Sequence, residues 1–264
     1  PQVVDRTALD TVVGDVSVRP DGARLAAVAG SAVVVWRVDD AGRLSSLGVL
    51  DVAPRPQSYG GAPAQDSRDA GRRLAWHDDR LVVAILDDGV ASVALRLGVA
   101  DVDDGAPRWL ATAERTLAEG PFGSGELHAV AATAGHAAVA RALTTRGGTE
   151  SGLSVFTLPA GVTPQHLGDW AAAGRIVDLT ALGGRDVALL GERRAPDMST
   201  VEPYVAVVDA AAVAARGSAA LPAPPVFSAP HRLAAGRDGR LYATLSGAQP
   251  QLVAVDVDAD GRPA

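Results

Sequence analysis

Carboxylates at alternating positions suggest a cation site near the end of the printed sequence. Asp256, Asp258 and Asp260 precede a glycine, as the first ligands of an oxygen-ligand calcium loop do. The glutamate that closes such a loop is absent from the three residues that follow that glycine. Residues 39–42 and 101–105 have a similar Asp and Gly composition, which is also typical of tight turns. We therefore prefer turns to calcium loops, and we predict no metal site and no cofactor.

Acidic residues elsewhere raise the question of hydrolytic chemistry. Asp15, Glu126 and Asp178 could supply the two carboxylates that glycoside hydrolysis needs. Aromatic residues for a sugar platform are few, and the chain contains no phosphate-binding glycine loop, nucleophile elbow or zinc-protease motif. With no cysteine, thiolate chemistry is excluded. A non-enzymatic role is therefore favoured over an enzymatic one.

Charge and hydropathy limit the partners. The formal net charge of −7 argues against a nucleic-acid backbone, which needs a basic face. No run of eighteen apolar residues is present, so we predict no direct membrane insertion. The printed sequence begins at Pro1 rather than Met, and we expect export, with an extracytoplasmic (periplasmic or cell-surface) location favoured over a cytoplasmic one.

These residues lie on a repeated pattern of short apolar segments. The second strand of each repeat begins at intervals of 50 to 56 residues, at Arg24, Arg80, His136, Asp186 and Arg240. Third strands follow at 32–38, 90–97, 152–158, 203–209 and 250–257, and fourth strands near 45–49, 109–113, 165–170 and 217–221. Turns rich in Gly and Asp separate these strands, as in hairpins. The pattern predicts an all-β fold, a five-bladed β-propeller.

The last repeat has no fourth strand of its own. Joined end to start, DADGRPA and PQVVDRTALD resemble residues 39–51, so the N-terminal strand is expected to complete the C-terminal blade and close the ring. We therefore predict a single domain over residues 1–264. Its blades are expected at about 11–51, 72–114, 126–170, 175–221, and 230–264 together with 1–10.

The first repeat resembles a known family. Val18-Arg-Pro-Asp-Gly-Ala-Arg-Leu-Ala-Ala-Val-Ala, followed by Val-Val-Val-Trp36-Arg-Val, looks like the repeat of bacterial propellers of the tryptophan-aspartate (WD) repeat and TolB-like kind. The fifth repeat, GRDGRLYATLSG, is similar. The resemblance implies a scaffold that holds proteins or small ligands on one face.

In such a fold, one face carries the loops between second and third strands and the connections between blades. We call it the long-loop face, because this chain places long segments there, at 52–71, 115–125, 144–151, 192–202 and 222–230. Binding residues often lie on long loops. We predict a non-enzymatic scaffold that binds a protein partner through this face. Arginine and tyrosine dominate many interfaces, and the interface residues expected here are Arg55, Tyr59, Arg146, Arg193, Arg194 and Tyr204.

The same face would carry the mouth of a central channel. Six polar side chains stand where the innermost strands begin, namely Asp15, Arg73, His128, Asp178, His231 and Arg232. Converging polar groups in a concave site typically bind ligands, so the alternative function is small-molecule or carbohydrate binding, with or without hydrolysis. These side chains could equally line a water-filled channel that binds nothing.

Overall fold

The structure is a computed structural model that shows β-strands and turns. It describes residues 5, 9, 13–52, 71–88, 92–103, 105–120, 123–159, 163–194, 201–222, 229–247 and 250–264. Among these residues, no helix is long and apolar enough to cross a membrane.

The strands form five antiparallel sheets, which we call blades 1 to 5 in chain order. Blades 1 and 2 consist of β1 (Val13–Val18), β2 (Arg24–Ala29), β3 (Ala32–Val38), β4 (Leu44–Asp51), β5 (Arg72–His77), β6 (Arg80–Asp88), β7 (Ser92–Asp101) and β8 (Arg108–Glu119). Blades 3 and 4 consist of β9 (Ser124–Thr133), β10 (His136–Thr145), β11 (Gly148–Thr157), β12 (Gln165–Ala171), β13 (Arg175–Gly183), β14 (Asp186–Arg194), β15 (Val201–Asp209) and β16 (Ala214–Ala220). Blade 5 consists of β17 (Ala229–Ala235), β18 (Leu241–Ser246) and β19 (Gln251–Val255).

The strand positions follow the repeat in the sequence. Each sheet orders its strands as they occur in the chain, so every blade is a simple meander. Four second strands begin at the predicted residue, and β18 begins at Leu241, one residue after the predicted Arg240. All four predicted fourth strands are present, as β4, β8, β12 and β16. The alternation of apolar residues therefore predicted the strands correctly.

Two segments that the sequence suggested as long loops are mostly strand. Strand β8 continues to Glu119 and alternates between exposed and half-buried side chains along most of its length. Strands β10 and β11 are separated by a turn of two residues, Arg146 and Gly147. Gly148 follows with a φ of 124°, a backbone conformation that favours glycine. The predicted loops at 115–125 and 144–151 are therefore a short connection and a tight hairpin, and residues 144–150 of that hairpin are exposed on both sides of the sheet.

The predicted ring closure lies mostly outside the described residues. Blade 5 has three strands in the described part of the chain, followed by an isolated bridge between Val257 and Pro263. In the N-terminal segment, the Asp5 carboxylate accepts a hydrogen bond from the Leu44 amide at the start of β4, at 2.7 Å. Closure of the ring by residues 1–10 stays a prediction.

The chain divides into two compact units. The first comprises residues 1–127, 143–147 and 161–164, and the second comprises residues 128–142, 148–160 and 165–264. The first unit has an apolar core between blades 1 and 2, in which Val28, Val33 and Leu81 are buried. The second unit has a core around Leu153 and Leu189 and another around residues 188–257. A single domain over residues 1–264 stays a prediction.

Within each unit, neighbouring blades also meet at a glycine of a fourth strand. A Cβ atom on Gly48 would lie 2.8 Å from Cδ of Pro107, which precedes β8. A Cβ atom on Gly217 would lie 3.4 Å from Cδ of Pro263, in the turn after β19. The turn between third and fourth strands thus rests on the preceding blade, and the lack of a side chain allows this close approach.

Candidate functional site: the rim of blade 4

The first predicted channel-mouth residue, Asp15, joins two strands of the first unit. A register shift in β1 between Val13 and Asp15 marks an irregularity of the strand. One carboxylate oxygen of Asp15 accepts the Val16 amide at 3.0 Å, and the other accepts the Leu74 amide of β5 at 2.8 Å. The carboxylate therefore links the first strand of blade 1 to the first strand of blade 2.

Asp178 repeats this arrangement in the second unit. It follows a register shift in β13, and its side chain accepts the Leu179 amide at 3.0 Å and the Leu233 amide of β17 at 2.9 Å. Asp178 is 8% exposed. The guanidinium of Arg232 lies 4.0 Å from the same carboxylate, with 69% of its side chain exposed. A buried carboxylate that holds backbone amides has a structural role, because leaving those amides unpaired would cost free energy.

The other predicted channel-mouth residues lie on first strands of their blades. Arg73 is half-buried in β5, and its Nη1 donates to the carbonyl of Arg72 at 2.7 Å. His128 is half-buried in β9, and His231 is exposed in β17. All six residues thus lie on the expected strands, but both acidic members hold backbone amides of a neighbouring blade. A ligand site formed by the six stays a prediction.

In two of the Asp-rich turns, a carboxylate accepts hydrogen bonds from backbone amides of the same turn. Asp39 accepts the amides of Ala41 and Arg43 at 2.9 and 2.8 Å. Asp258 accepts the amides of Asp260 and Arg262 at 2.9 and 2.8 Å. These two turns have the same geometry, in agreement with their similar sequences. In the described ranges, no group of three or more His, Asp or Glu side chains is placed to hold a metal ion.

A polar network that was not anticipated from the sequence crosses blade 3 from the buried Arg141 and Ser154 to the more exposed Asp169 and His166. The Arg141 guanidinium donates to Ser154 Oγ at 2.8 Å, and Ser154 Oγ donates to Asp169 at 2.7 Å. His166 Nε2 lies 3.3 Å from the same Asp169 oxygen. The carboxylate thus stands between serine and histidine, and Ser154 has no exposed surface. This order does not match a nucleophilic triad, in which histidine contacts the serine, so the network is structural.

The predicted interface residues have different positions. Arg55 and Tyr59 lie outside the described residues. Arg146 is exposed in the turn after β10, Arg194 is exposed at the end of β14, and Arg193 beside it is half-buried.

Tyr204, named above among the expected interface residues of the partner-binding loops, is instead a buried residue of the third strand predicted at 203–209. It belongs to β15 and is 2% exposed, because strand pairing places it opposite Gly191.

The Tyr204 ring lies over Gly191 and beneath Arg193. A Cβ atom on Gly191 would lie 2.5 Å from Cζ of Tyr204, so the ring fits only because position 191 has no side chain. Cζ of Arg193 lies 4.4 Å from the ring centroid, in the arrangement of a cation–π contact. Burial raises the pKa of Tyr204 above its usual 10.0, while the charge of Arg193 acts in the opposite direction. Arg193 and Tyr204 thus form a stacked pair.

Further charged groups surround this pair at the same end of blade 4. Arg175 Nη1 lies 3.5 Å from Glu192 Oε1, and 57% of the Arg175 side chain is exposed. Glu202 is exposed and pairs with Arg193 in the strand register. We call Arg175, Glu192, Arg193, Arg194 and Glu202 the blade 4 rim. The rim lies on the long-loop face, because β13 and β15 begin there and β14 ends there.

Gly191 was not anticipated from the sequence, and neither were the rim residues Arg175, Glu192 and Glu202. The sequence offers one signal, a glycine inside a strand directly after the apolar run from Val187 to Leu190, and a glycine within a strand often marks close approach of another group. The arrangement of the ring on that glycine depends on the register between β14 and β15, and periodicity alone does not provide this register.

Comparisons with known proteins bear on the fold. No family model and no curated protein matches the chain. Among solved structures, a protein from Lactobacillus plantarum is similar, with a TM-score of 0.59 and 16% identity over 97% of this chain and 71% of that chain.

Two other solved structures are similar. One is the β-propeller domain of Nup133 from Vanderwaltozyma polyspora, with a TM-score of 0.54 and 7% identity over 92% of this chain and 70% of that chain. The other is a complex of KlAtg21 with the coiled coil of AgAtg16, with a TM-score of 0.52 and 12% identity over 96% of this chain and 69% of that chain. At these identities the comparisons establish the fold alone. The predicted all-β fold is confirmed, and the chain is a five-bladed β-propeller.

Proposed function

We propose that this chain is a non-enzymatic scaffold, a propeller of the WD-repeat and TolB-like kind, that binds a protein partner through its long-loop face. The observation that carries the proposal is the stacked pair of Arg193 and Tyr204 at the blade 4 rim. Arginine is enriched among the residues that dominate binding energy, and the buried Tyr204 ring acts by holding Arg193 rather than by contacting a partner. A guanidinium already held on a ring loses less side-chain entropy on binding than a free one, so it favours association.

A fold analogy gives weaker support. One of the similar solved structures is the complex of KlAtg21 with the coiled coil of AgAtg16. Fold alone does not determine function, so the proposal depends on the rim residues. Small-molecule or carbohydrate binding at the channel mouth is the weaker alternative, because Asp15 and Asp178 already accept backbone amides.

Affinity capture from the native source tests the proposal. The baits are the wild type, the double variant Arg193→Ala/Arg194→Ala, and the control Arg237→Ala. Arg237 is exposed in the turn between β17 and β18, at the opposite end of the strands from the long-loop face. We expect one partner with the wild type and the control, and its loss with the double variant. Equal recovery with all three baits would overturn the proposal.

We extend the proposal to an extracytoplasmic location. Cell fractionation with an antibody against the chain tests it, and recovery in the cytoplasmic fraction alone would contradict it.

A further inference from the structure

The Arg193 guanidinium has donors that the described part of the chain leaves unused. No carboxylate of a described residue lies within 4.0 Å of it, and its Nε is buried without a hydrogen-bond partner among these residues. The Tyr204 hydroxyl is also buried without a partner there. Unpaired buried polar groups are uncommon in folded proteins, and they deserve an explanation at each position.

The chemistry of these groups defines what would complement them. A guanidinium offers only donors, arranged as a planar fork that matches the two oxygens of a carboxylate. Arg194 is exposed beside it, and Arg175 has its guanidinium 57% exposed at the start of β13. Among the described residues of the blade 4 rim, three arginines outnumber two glutamates, which leaves one net positive charge at this end of blade 4 in a chain whose net charge is −7. Such a local reversal of charge attracts anionic groups.

Within the part of the chain that the structure describes, Glu202 is a carboxylate whose position could allow it to neutralise Arg193. The two residues are opposite each other in the register of β14 and β15. The structure instead places the guanidinium on the Tyr204 ring, with no ion pair to Glu202 among the described contacts. The stack keeps the guanidinium in one orientation at the rim, and Glu202 remains an exposed competitor for it.

We infer that the partner presents an acidic peptide segment, and that one of its carboxylates pairs with the Arg193 guanidinium held on Tyr204. This inference rests on the proposed function, which concerns the same rim. Arg194 and Arg175 contribute by long-range attraction to the acidic segment, whereas Arg193 makes the directional contact. Binding would therefore weaken at higher salt, as expected for attraction between exposed charges.

A synthetic peptide tests the inference without knowledge of the partner. The probe is a fluorescein-labelled peptide with four glutamates, and its matched control has four glutamines instead. Fluorescence anisotropy at low salt should detect the glutamate peptide with the wild type and not the glutamine peptide. Arg193→Gln should weaken binding by about fivefold or more, and Arg193→Lys should fail to restore it fully, since lysine lacks the planar fork. Arg237→Gln should bind as the wild type does.

Two further variants separate this role from a structural one. Tyr204→Phe keeps the ring beneath Arg193, and it should bind the glutamate peptide as the wild type does. Glu202→Gln removes the competing carboxylate, and it should bind the peptide more tightly. Melting temperatures of all variants identify any that fail to fold, and the surface variant Glu202→Gln keeps the test decisive if Arg193 variants unfold. Weaker or unchanged binding by Glu202→Gln would overturn the inference.

The outcomes distinguish the inference from the proposed function. If the glutamate peptide binds no better than the glutamine peptide, the carboxylate contact is wrong. If affinity capture still depends on Arg193 and Arg194 in that case, the proposed function stands with a partner of different chemistry. If capture shows no such dependence either, both are wrong.

Discussion

The Asp178 carboxylate and the Leu233 amide lie 2.9 Å apart, although 55 residues separate them in the sequence. Asp15 and Leu74 make the same contact in the other unit at 2.8 Å. The two aspartates therefore hold neighbouring blades together at equivalent positions of their first strands. This contact explains why an acid can be needed there without any ligand.

Replacing Asp178 with alanine should destabilise the protein. The change leaves the amides of Leu179 and Leu233 without their acceptor, which we expect to cost about 1–3 kcal/mol in the free energy of unfolding. Urea denaturation followed by circular dichroism measures this. Arg232→Ala is the control, because the Arg232 side chain is largely exposed. This substitution should lower the free energy of unfolding by less than about 0.5 kcal/mol. A similar decrease in the free energy of unfolding for both variants would mean that the Asp178 carboxylate does not stabilise the protein by accepting these amides.

Adding one methyl group at Gly191 should be costly. Alanine at this position would place Cβ 2.5 Å from the Tyr204 ring, so the ring must move. We expect this to lower the free energy of unfolding by about 1–3 kcal/mol. The double variant Gly191→Ala/Tyr204→Leu should recover part of that loss, because the smaller side chain leaves room. Thermal unfolding measures the stability of each variant. If the double variant loses as much stability as the two single variants together, the stacked arrangement is contradicted.

Acid should weaken the turn between β1 and β2 through Asp21. Its pKa is lowered from 3.8 to about 2, first by the hydrogen bond from the Arg19 guanidinium and then by the Ala23 amide. A lowered pKa in the folded state stabilises the protein fully above pH 3.8, and this contribution is lost as the pH falls towards 2. Carbon-detected NMR titration of the carboxyl group should report the low pKa. A value near 3.8 would show that the Arg19 contact does not persist in solution.

Calcium should leave the stability unchanged. Asp39 and Asp258 use carboxylate oxygens to accept backbone amides of their own turns, so the turns need no cation to form. We expect the same melting temperature in millimolar CaCl₂ and in EDTA. A rise of several degrees with calcium would revive the calcium-loop interpretation of residues 256–261.

Local patterns in the sequence predicted most of the fold. Strands beginning at Arg24, Arg80, His136 and Asp186 follow from apolar alternation and turn residues, which are local signals. The turn at Arg146 was read as a long loop, because exposed strand residues are as polar as loop residues. Strand alternation in a polar segment is a weak signal, so the length of β10 and β11 was not predictable.

The site was less predictable than the fold. The first-strand positions of Asp15 and Asp178 follow from the repeat, but their acceptor role depends on contacts between blades. The burial of Tyr204 depends on its pairing with Gly191, which the sequence does not specify. Such contacts join distant parts of the chain, and no short-range pattern encodes them.

Site-specific photo-cross-linking tests the central proposal most directly. A photoreactive amino acid replaces Arg194 in one variant and Arg237 in another, and both are irradiated in the native source before purification. We predict a covalent adduct with one protein from position 194 and none from position 237. Adducts of equal yield at both positions, or no adduct at position 194, would contradict partner binding at the blade 4 rim.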